Sequence, residues 1–309
     1  MACSRRPRQP ECRSASPTSL SSAIELPLRG AGEEPIDFAR TLYSHGCAAL
    51  APATIVAQPL RLTTQLRIGR RIVRTSIVQR GDALQVATDA VLANSARAEL
   101  AKIVARMFAL DLDLAPFYAM LADDASLAWA RCGAGRLLAS PSVFEDLVKT
   151  LCSTNCAFSA TQRMVAALVA LGGGAFPTPQ IVLDAGVAYL TETVRMGYRA
   201  RSLYELAASI HEGAFAPESL RAAGGAQEED VAARLGSLRG FGPYAVAHAM
   251  QLLGFHRPLI LDSWTRPTYM RVIGKRKRSD AAIRRDFHRY GAYAGLAFWL
   301  TLTKNWVAD

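Results

Sequence analysis

Residues 238–266, LRGFGPYAVAHAMQLLGFHRPLILDSWTR, hold the densest chemical signal in the chain. Gly240 and Gly242 stand two apart and are followed at once by Pro243. Two glycines at this spacing let the backbone turn tightly and expose its amides without interference from a Cβ. Pro243 suits the first turn of a helix, where its missing N–H is not needed. The pattern predicts helices on both sides, over Glu228–Leu235 and Pro243–Leu253, with free amides at the second start forming an anion site. Gly-x-Gly-Pro alone is equally an ordinary corner between two helices. Gly254 then breaks the second helix, and the short apolar run Leu259–Leu261 ends in Asp262. An aspartate after hydrophobics and before a helix reads as an N-cap. A capping carboxylate can still present its outer oxygen to a cleft.

Working outward, helical spacing dominates everything beyond about residue 110. Ser142 and Glu145 have the spacing of a capping box, in which each satisfies the other's amide. Phe144, Leu147, Val148 and Leu151 then share one helix face. The glycines at 172–174 end the next helix. Further helices are expected over Val187–Met196, Arg199–Glu212, Asp280–Tyr290 and Gly291–Trp306. The N-terminal part is different. Residues 60–65, 72–78 and 83–88 alternate with period two, and Gly81-Asp82 supplies a turn, which predicts a small antiparallel sheet. A short helix over Ile36–Ser44 precedes it and one over Ser95–Ala109 follows. The expected class is α+β: a disordered Arg/Ser/Pro-rich tail over 1–28, a β-containing domain over 29–109 and a helical domain over 110–309.

Composition narrows the partners. The chain has 309 residues, 50 % of them hydrophobic and 20 % charged, which is globular usage. No apolar run is long enough to cross a bilayer, so no membrane partner is expected. The formal charge is +10, and a basic chain favours a polyanion. From residue 230 onward there are 13 basic and 5 acidic residues, so this end carries +8 of that excess. Cysteines stand at 3, 12, 47, 132, 152 and 156 without a C-x-x-C pair. That spacing gives neither a disulfide framework nor a zinc ribbon, and no metal-ligand set is read from it. A reducing intracellular setting is expected: cytoplasm or nucleoid, or nucleus or organelle in a eukaryote.

Residues 238–245 together with Leu261–Arg266 resemble the helix-hairpin-helix DNA glycosylase superfamily. Asp262 follows Tyr244 by 18 residues, the spacing that family uses between its hairpin and its catalytic aspartate. Residues 144–155, FEDLVKTLCSTN, resemble the helix that opens the family's six-helix barrel, and the Cys-Ser-Thr-Asn ending is most like the 8-oxoguanine branch. Residues 196–201, MGYRAR, resemble the segment ahead of the hairpin, and residues 290–299, YGAYAGLAFW, the closing helix. The resemblance covers 110–309 well. It covers 30–105 weakly, as the sheet domain of the alkyl-purine and 8-oxoguanine branches. Arg239 replaces the usual proline and Phe241 a small aliphatic residue. Tyr244 stands where bifunctional members carry a lysine, and no lysine occurs between Lys149 and Lys275. Without an amine there is no Schiff base, hence no simple route to β-elimination. With no cysteine beyond Cys156, no iron–sulfur cluster is expected.

The resemblance implies hydrolysis of the N-glycosidic bond of a damaged base in double-stranded DNA, by a monomer. The base must first leave the stack. Asp262 would then stabilise charge on the sugar or deprotonate the attacking water. Tyr244 would stack on the flipped base at the pocket mouth, a role that weighs equally with plain helix packing. Trp264, Phe158 and His248 would line the same pocket, although residue chemistry favours core packing for each. Gly240, Gly242 and Tyr244 would offer amides to a backbone phosphate, either directly or through a monovalent cation at the hairpin. Asn155, Arg199, Arg201 and Lys275 complete the expected DNA contacts. Arg266 pairs internally in the alternative reading. A bifunctional 8-oxoguanine-type lyase and a non-catalytic hairpin DNA-binding protein are the competing functions.

Overall fold

The computed structural model describes residues 22–307. Most of the expected tail, with Cys3 and Cys12, lies outside the described residues. Its end does not behave as a tail. Ser22–Pro27 is strand β1, paired antiparallel with a later strand through Ile24 opposite Val86. A six-residue edge strand ending in proline leaves little alternation to read. The expected short helix is α1, Phe38–Leu42, capped by Asp37, whose carboxylate accepts the Arg40 amide at 2.8 Å.

The strands β2 (Thr54–Ala57), β3 (Leu60–Ile68), β4 (Arg71–Arg80) and β5 (Ala83–Thr88) complete one antiparallel sheet of order β1-β5-β4-β3-β2. Its inner face follows the period-two pattern: Leu62, Leu66, Val73, Ile77, Leu84 and Val86 are all buried. Helix α2 (Asn94–Met107) covers this face with Leu100, Val104 and Met107. Buried charge joins the sheet unit to the rest. The fully buried Arg136 donates to Glu34 Oε1 at 2.6 Å and to the Leu112 carbonyl at 2.7 Å.

Helices follow as expected, with corrections at their ends. They are α3 (Ala115–Met120), α4 (Val143–Ser153), α5 (Phe158–Leu171), α6 (Pro179–Glu192), α7 (Arg199–His211) and α8 (Glu228–Ser237). The last four are α9 (Pro243–Leu252), α10 (Thr265–Val272), α11 (Asp280–Phe287) and α12 (Ala294–Thr303). Helix α6 begins eight residues before the expected start, because Thr178 caps it and Pro179 occupies its first turn; Gly186 interrupts it. Only half of the capping box forms. Ser142 Oγ accepts the Glu145 amide at 3.2 Å, but the Glu145 carboxylate turns to Lys149 Nζ, 2.7 Å away. Both are buried, so the ion pair takes precedence over a reach back to the helix start.

Helix α4 lies at the centre of one apolar core, sharing it with α5, α7, α8 and α9 through Leu147, Leu151, Val165, Leu203, Leu235 and Ala249. Helix α12 centres a second, where Phe298 and Leu296 meet Ile283 and Phe117. A small cluster of Leu137, Ala247, Ile260 and Trp299 packs the closing helix against α9.

Candidate active site

A cleft of about 820 Å³ opens where the loop before β2, the C-terminal end of α4, the start of α5, the α8–α9 hairpin and the Asp262 segment meet. That volume admits a drug-sized organic ligand and leaves ample room for a nucleobase with its sugar. Asp262 is half-buried on its wall. The buried residues Leu259, Ile260 and Leu261 anchor the segment in two apolar clusters. Asp262 Oδ1 accepts the amides of Trp264 and Thr265, at 2.8 and 2.6 Å. Its own amide donates to Thr265 Oγ1 at 2.8 Å. Asp262 therefore caps α10, as its sequence context predicts. Among the described residues Oδ2 has no hydrogen-bond partner. One carboxylate oxygen is thus clamped, and the side chain faces the cleft with the other available.

The hairpin supplies the opposite lip. Gly240 has φ +89°, and a Cβ there would stand 2.7 Å from Leu151 Cδ1 of α4. Only glycine satisfies both the left-handed backbone and this close approach. Gly242 is different. Its φ is −82° and a Cβ would meet nothing within 4 Å, so folding makes no steric demand for glycine there. Phe241 is buried against the α4 core, while Arg239 points outward to Glu205 at 3.5 Å. The amides of Gly240, Gly242 and Tyr244 find no acceptor among the described residues, as expected at a helix start. The carbonyls of Arg239 and Gly240 likewise accept no hydrogen bond among the described residues.

Aromatic residues form much of the walls. Tyr244 stacks on His248, with ring centroids 6.0 Å apart and planes within 3°. The Tyr244 hydroxyl meets Ser153 Oγ at 3.3 Å, and burial pushes its phenol up to about 12. Phe158 is 47 % exposed on the cleft, so the expectation of core packing fails there. Its ring lies beside Gly46 on one side and stays open to the cleft on the other. Trp264 is 37 % exposed and joins Trp299 and Trp306, with centroids 5.7 and 5.4 Å away. His248 does line the cleft and is also buried. Burial pulls it down to about 3, so its ring is neutral.

The expected DNA contacts divide. Asn155 lines the cleft with φ +46°, directly past α4. Arg201 is exposed and paired with Glu205 at 2.8 Å. Arg199 is a correction: its guanidinium is buried and donates to the carbonyl and hydroxyl of Thr154, capping α4 from beneath. It holds the Asn155 turn in place and is not presented to a partner. Lys275 is exposed, yet it follows the far end of α10, so the length of that helix, about 12 Å, separates it from Asp262. Arg266 pairs bidentately with Asp280, both bonds at 2.8 Å. Residues that the sequence reading passed over also line the cleft: His45, Cys47, Ser153, Trp299 and Trp306. A histidine and a cysteine flanking Gly46 were the only local signal for the first two.

No family model matches the chain, and no curated protein matches it by sequence. Solved structures do. The 3-methyladenine DNA glycosylase of Archaeoglobus fulgidus is 18 % identical, with a TM-score of 0.70 over 93 % of this chain and 100 % of that one. A structure of MBOgg1 with a low-affinity DNA ligand gives 17 % identity and a TM-score of 0.69 over 91 % and 94 %. The 8-oxoguanine glycosylase/lyase of Clostridium acetobutylicum, in its apo form, gives 15 % and 0.67 over 91 % and 96 %. The fold agrees with these neighbours across nearly their full lengths: the chain has the fold of the helix-hairpin-helix DNA glycosylases.

Proposed function

We propose that the chain is a monofunctional DNA glycosylase that removes a damaged base from duplex DNA, with Asp262 as the catalytic carboxylate. The observation that carries this reading is the Asp262 side chain: one oxygen fixed by two amides, the other unpartnered, in a cleft with room for a flipped nucleotide beside the hairpin. The proteins that share this fold are named for excision of 3-methyladenine or 8-oxoguanine.

In this reading the hairpin amides grip a backbone phosphate while the target base swings into the cleft. Tyr244 and Phe158 offer flat faces for stacking, available to any base. As the bond from C1′ to the base nitrogen breaks, its electron pair leaves with the base. Positive charge develops on the sugar, and the Asp262 carboxylate stabilises it. Water then adds to C1′ and gives up a proton, for which Asp262 Oδ2 is the available base. Tyr244 and the other cleft-lining residues offer no lysine amine, which favours hydrolysis over Schiff-base chemistry.

The test is a panel of end-labelled duplexes carrying methylated purines, 8-oxoguanine, uracil or a thymine mismatch. Each reaction is split, half heated in alkali and half not. Cleavage only after alkali, reduced at least 1000-fold in Asp262→Asn, is the expected result. Strand cleavage without alkali would refute the monofunctional assignment. Intact DNA binding with no base loss on any duplex would shift the reading to a non-catalytic hairpin protein.

A further inference from the structure

Three side chains that this mechanism leaves idle converge on the inner wall of the cleft. His45 and Cys47 come from the loop ahead of β2, and His248 comes from α9. One donor atom of each lies within 4.8 Å of the donor atoms of the other two. Hydrogen bonding shows which nitrogens are available. The Leu138 carbonyl can only accept, so at 2.8 Å His45 Nε2 carries the proton and Nδ1 keeps its lone pair. That Nδ1 is buried without a partner, in a residue only 6 % exposed. His248 Nδ1 is engaged by Thr150 Oγ1 at 3.1 Å, which leaves Nε2. Burial holds both rings below the usual histidine range, hence neutral, and pushes the Cys47 thiol up to about 11. The charges felt by Cys47, Lys149 and Asp146, are each neutralised, by Glu145 and Arg106, both at 2.7 Å.

We propose that His45, Cys47 and His248 form a zinc site whose fourth coordination position opens onto the cleft. Zinc selects nitrogen and sulfur donors in a tetrahedron, and three protein ligands with one open position are the pattern of exchangeable sites. At zinc bond lengths two nitrogens and a sulfur stand about 3.3–3.6 Å apart in that tetrahedron, so these three close on an ion by shifts of about 1 Å. The bonds to Leu138 and Thr150 are the outer contacts that orient metal-bound imidazoles. Binding forms one Zn–S and two Zn–N bonds and releases the Cys47 proton to solvent. The ion gives the orphaned His45 Nδ1 its partner and sets a Lewis acid at the base of the cleft. The proposal stands apart from the glycosylase reading, because no part of it requires DNA.

Cobalt replaces zinc as a visible probe. The full chain, freed of metal with a chelator, is titrated with cobalt and then with zinc against a chromophoric chelator. One equivalent is expected to bind, with tetrahedral bands in the visible and a thiolate-to-cobalt band in the near ultraviolet. Zinc should displace the cobalt and release about one proton per ion in unbuffered solution. Cys47→Ser should abolish the thiolate band, and His45→Ala and His248→Ala should each weaken binding at least tenfold. Cys132→Ser, at an exposed cysteine outside the cleft, should change nothing. Should His248→Ala fail to fold, His45→Gln tests the same set from the loop side. Zinc should also raise the melting temperature of the wild type but not of Cys47→Ser. A thiolate band that survives Cys47→Ser, or no binding at tens of micromolar metal, overturns the site.

Discussion

Acid should destabilise this protein well above the carboxylate range, and His256 shows by how much. Its ring is buried between α9 and α12. Gln251 Nε2 donates to the Pro258 carbonyl at 2.9 Å, so Gln251 Oε1 is the acceptor for His256 Nδ1–H at 3.2 Å. Nε2 is left buried without a partner. Burial, helped by the nearby Arg136 charge, pulls the ring from 6.5 down to about 4. The folded-state value is depressed, so this stability is complete above the unfolded value of 6.5 and is lost as pH falls toward 4. With those two values, going from pH 7 to pH 5 costs about 2 kcal/mol at this one residue. The partner variant is His256→Asn, whose amide still donates to Gln251 but does not titrate. Denaturant midpoints of both proteins at pH 7 and pH 5 give a difference of differences in which every other group cancels. The wild type should lose about 2 kcal/mol more than the variant over this interval. Parallel losses would refute the assignment of a neutral buried imidazole.

Gly240→Ala should destabilise the fold by about 1–3 kcal/mol, from positive φ and the collision with Leu151, read as a lower denaturant midpoint. Gly242→Ala should keep wild-type stability yet weaken duplex binding several-fold in a fluorescence anisotropy titration, because its new methyl faces the cleft. Arg136→Met should cost about 3–5 kcal/mol by stranding the Glu34 carboxylate in the interior, and adding Glu34→Gln should recover part of that loss. Burial pushes Glu34 up, but hydrogen bonds from Arg136 and the Leu114 amide outweigh it. The wild type should therefore lose this contribution as pH falls below the usual carboxylate range, and the gap to Arg136→Met should narrow there, seen by acid titration.

The helical half was legible because its elements are periodic and punctuated. Phe144, Leu147, Val148 and Leu151 are buried on α4 as their spacing requires. Asp262 was legible for a similar reason: capping, anchoring and placement all follow from a local run of seven residues. The exposure of Phe158 was not, since it depends on what lies above a helix start. Arg199 misled because an arginine that caps a helix end and one that grips phosphate look identical in sequence. His45 and Cys47 reach the cleft only because the sheet unit folds back across α4 and α9, a long-range contact with no local pattern. Strand β1 escaped notice because its partner is sixty residues away.

The indole cluster at the cleft has an optical consequence. The chain has four tryptophans. Three of them, Trp264, Trp299 and Trp306, sit at the cleft with ring centroids 5.4 to 5.9 Å apart. The fourth, Trp129, lies under the Arg40 guanidinium at 4.4 Å. At such separations the indoles can exchange excitation, so three of the four tryptophan emitters report on one wall of one cavity. The protein thus carries its own unlabelled gauge of that cavity, dimming or shifting in colour whenever something enters.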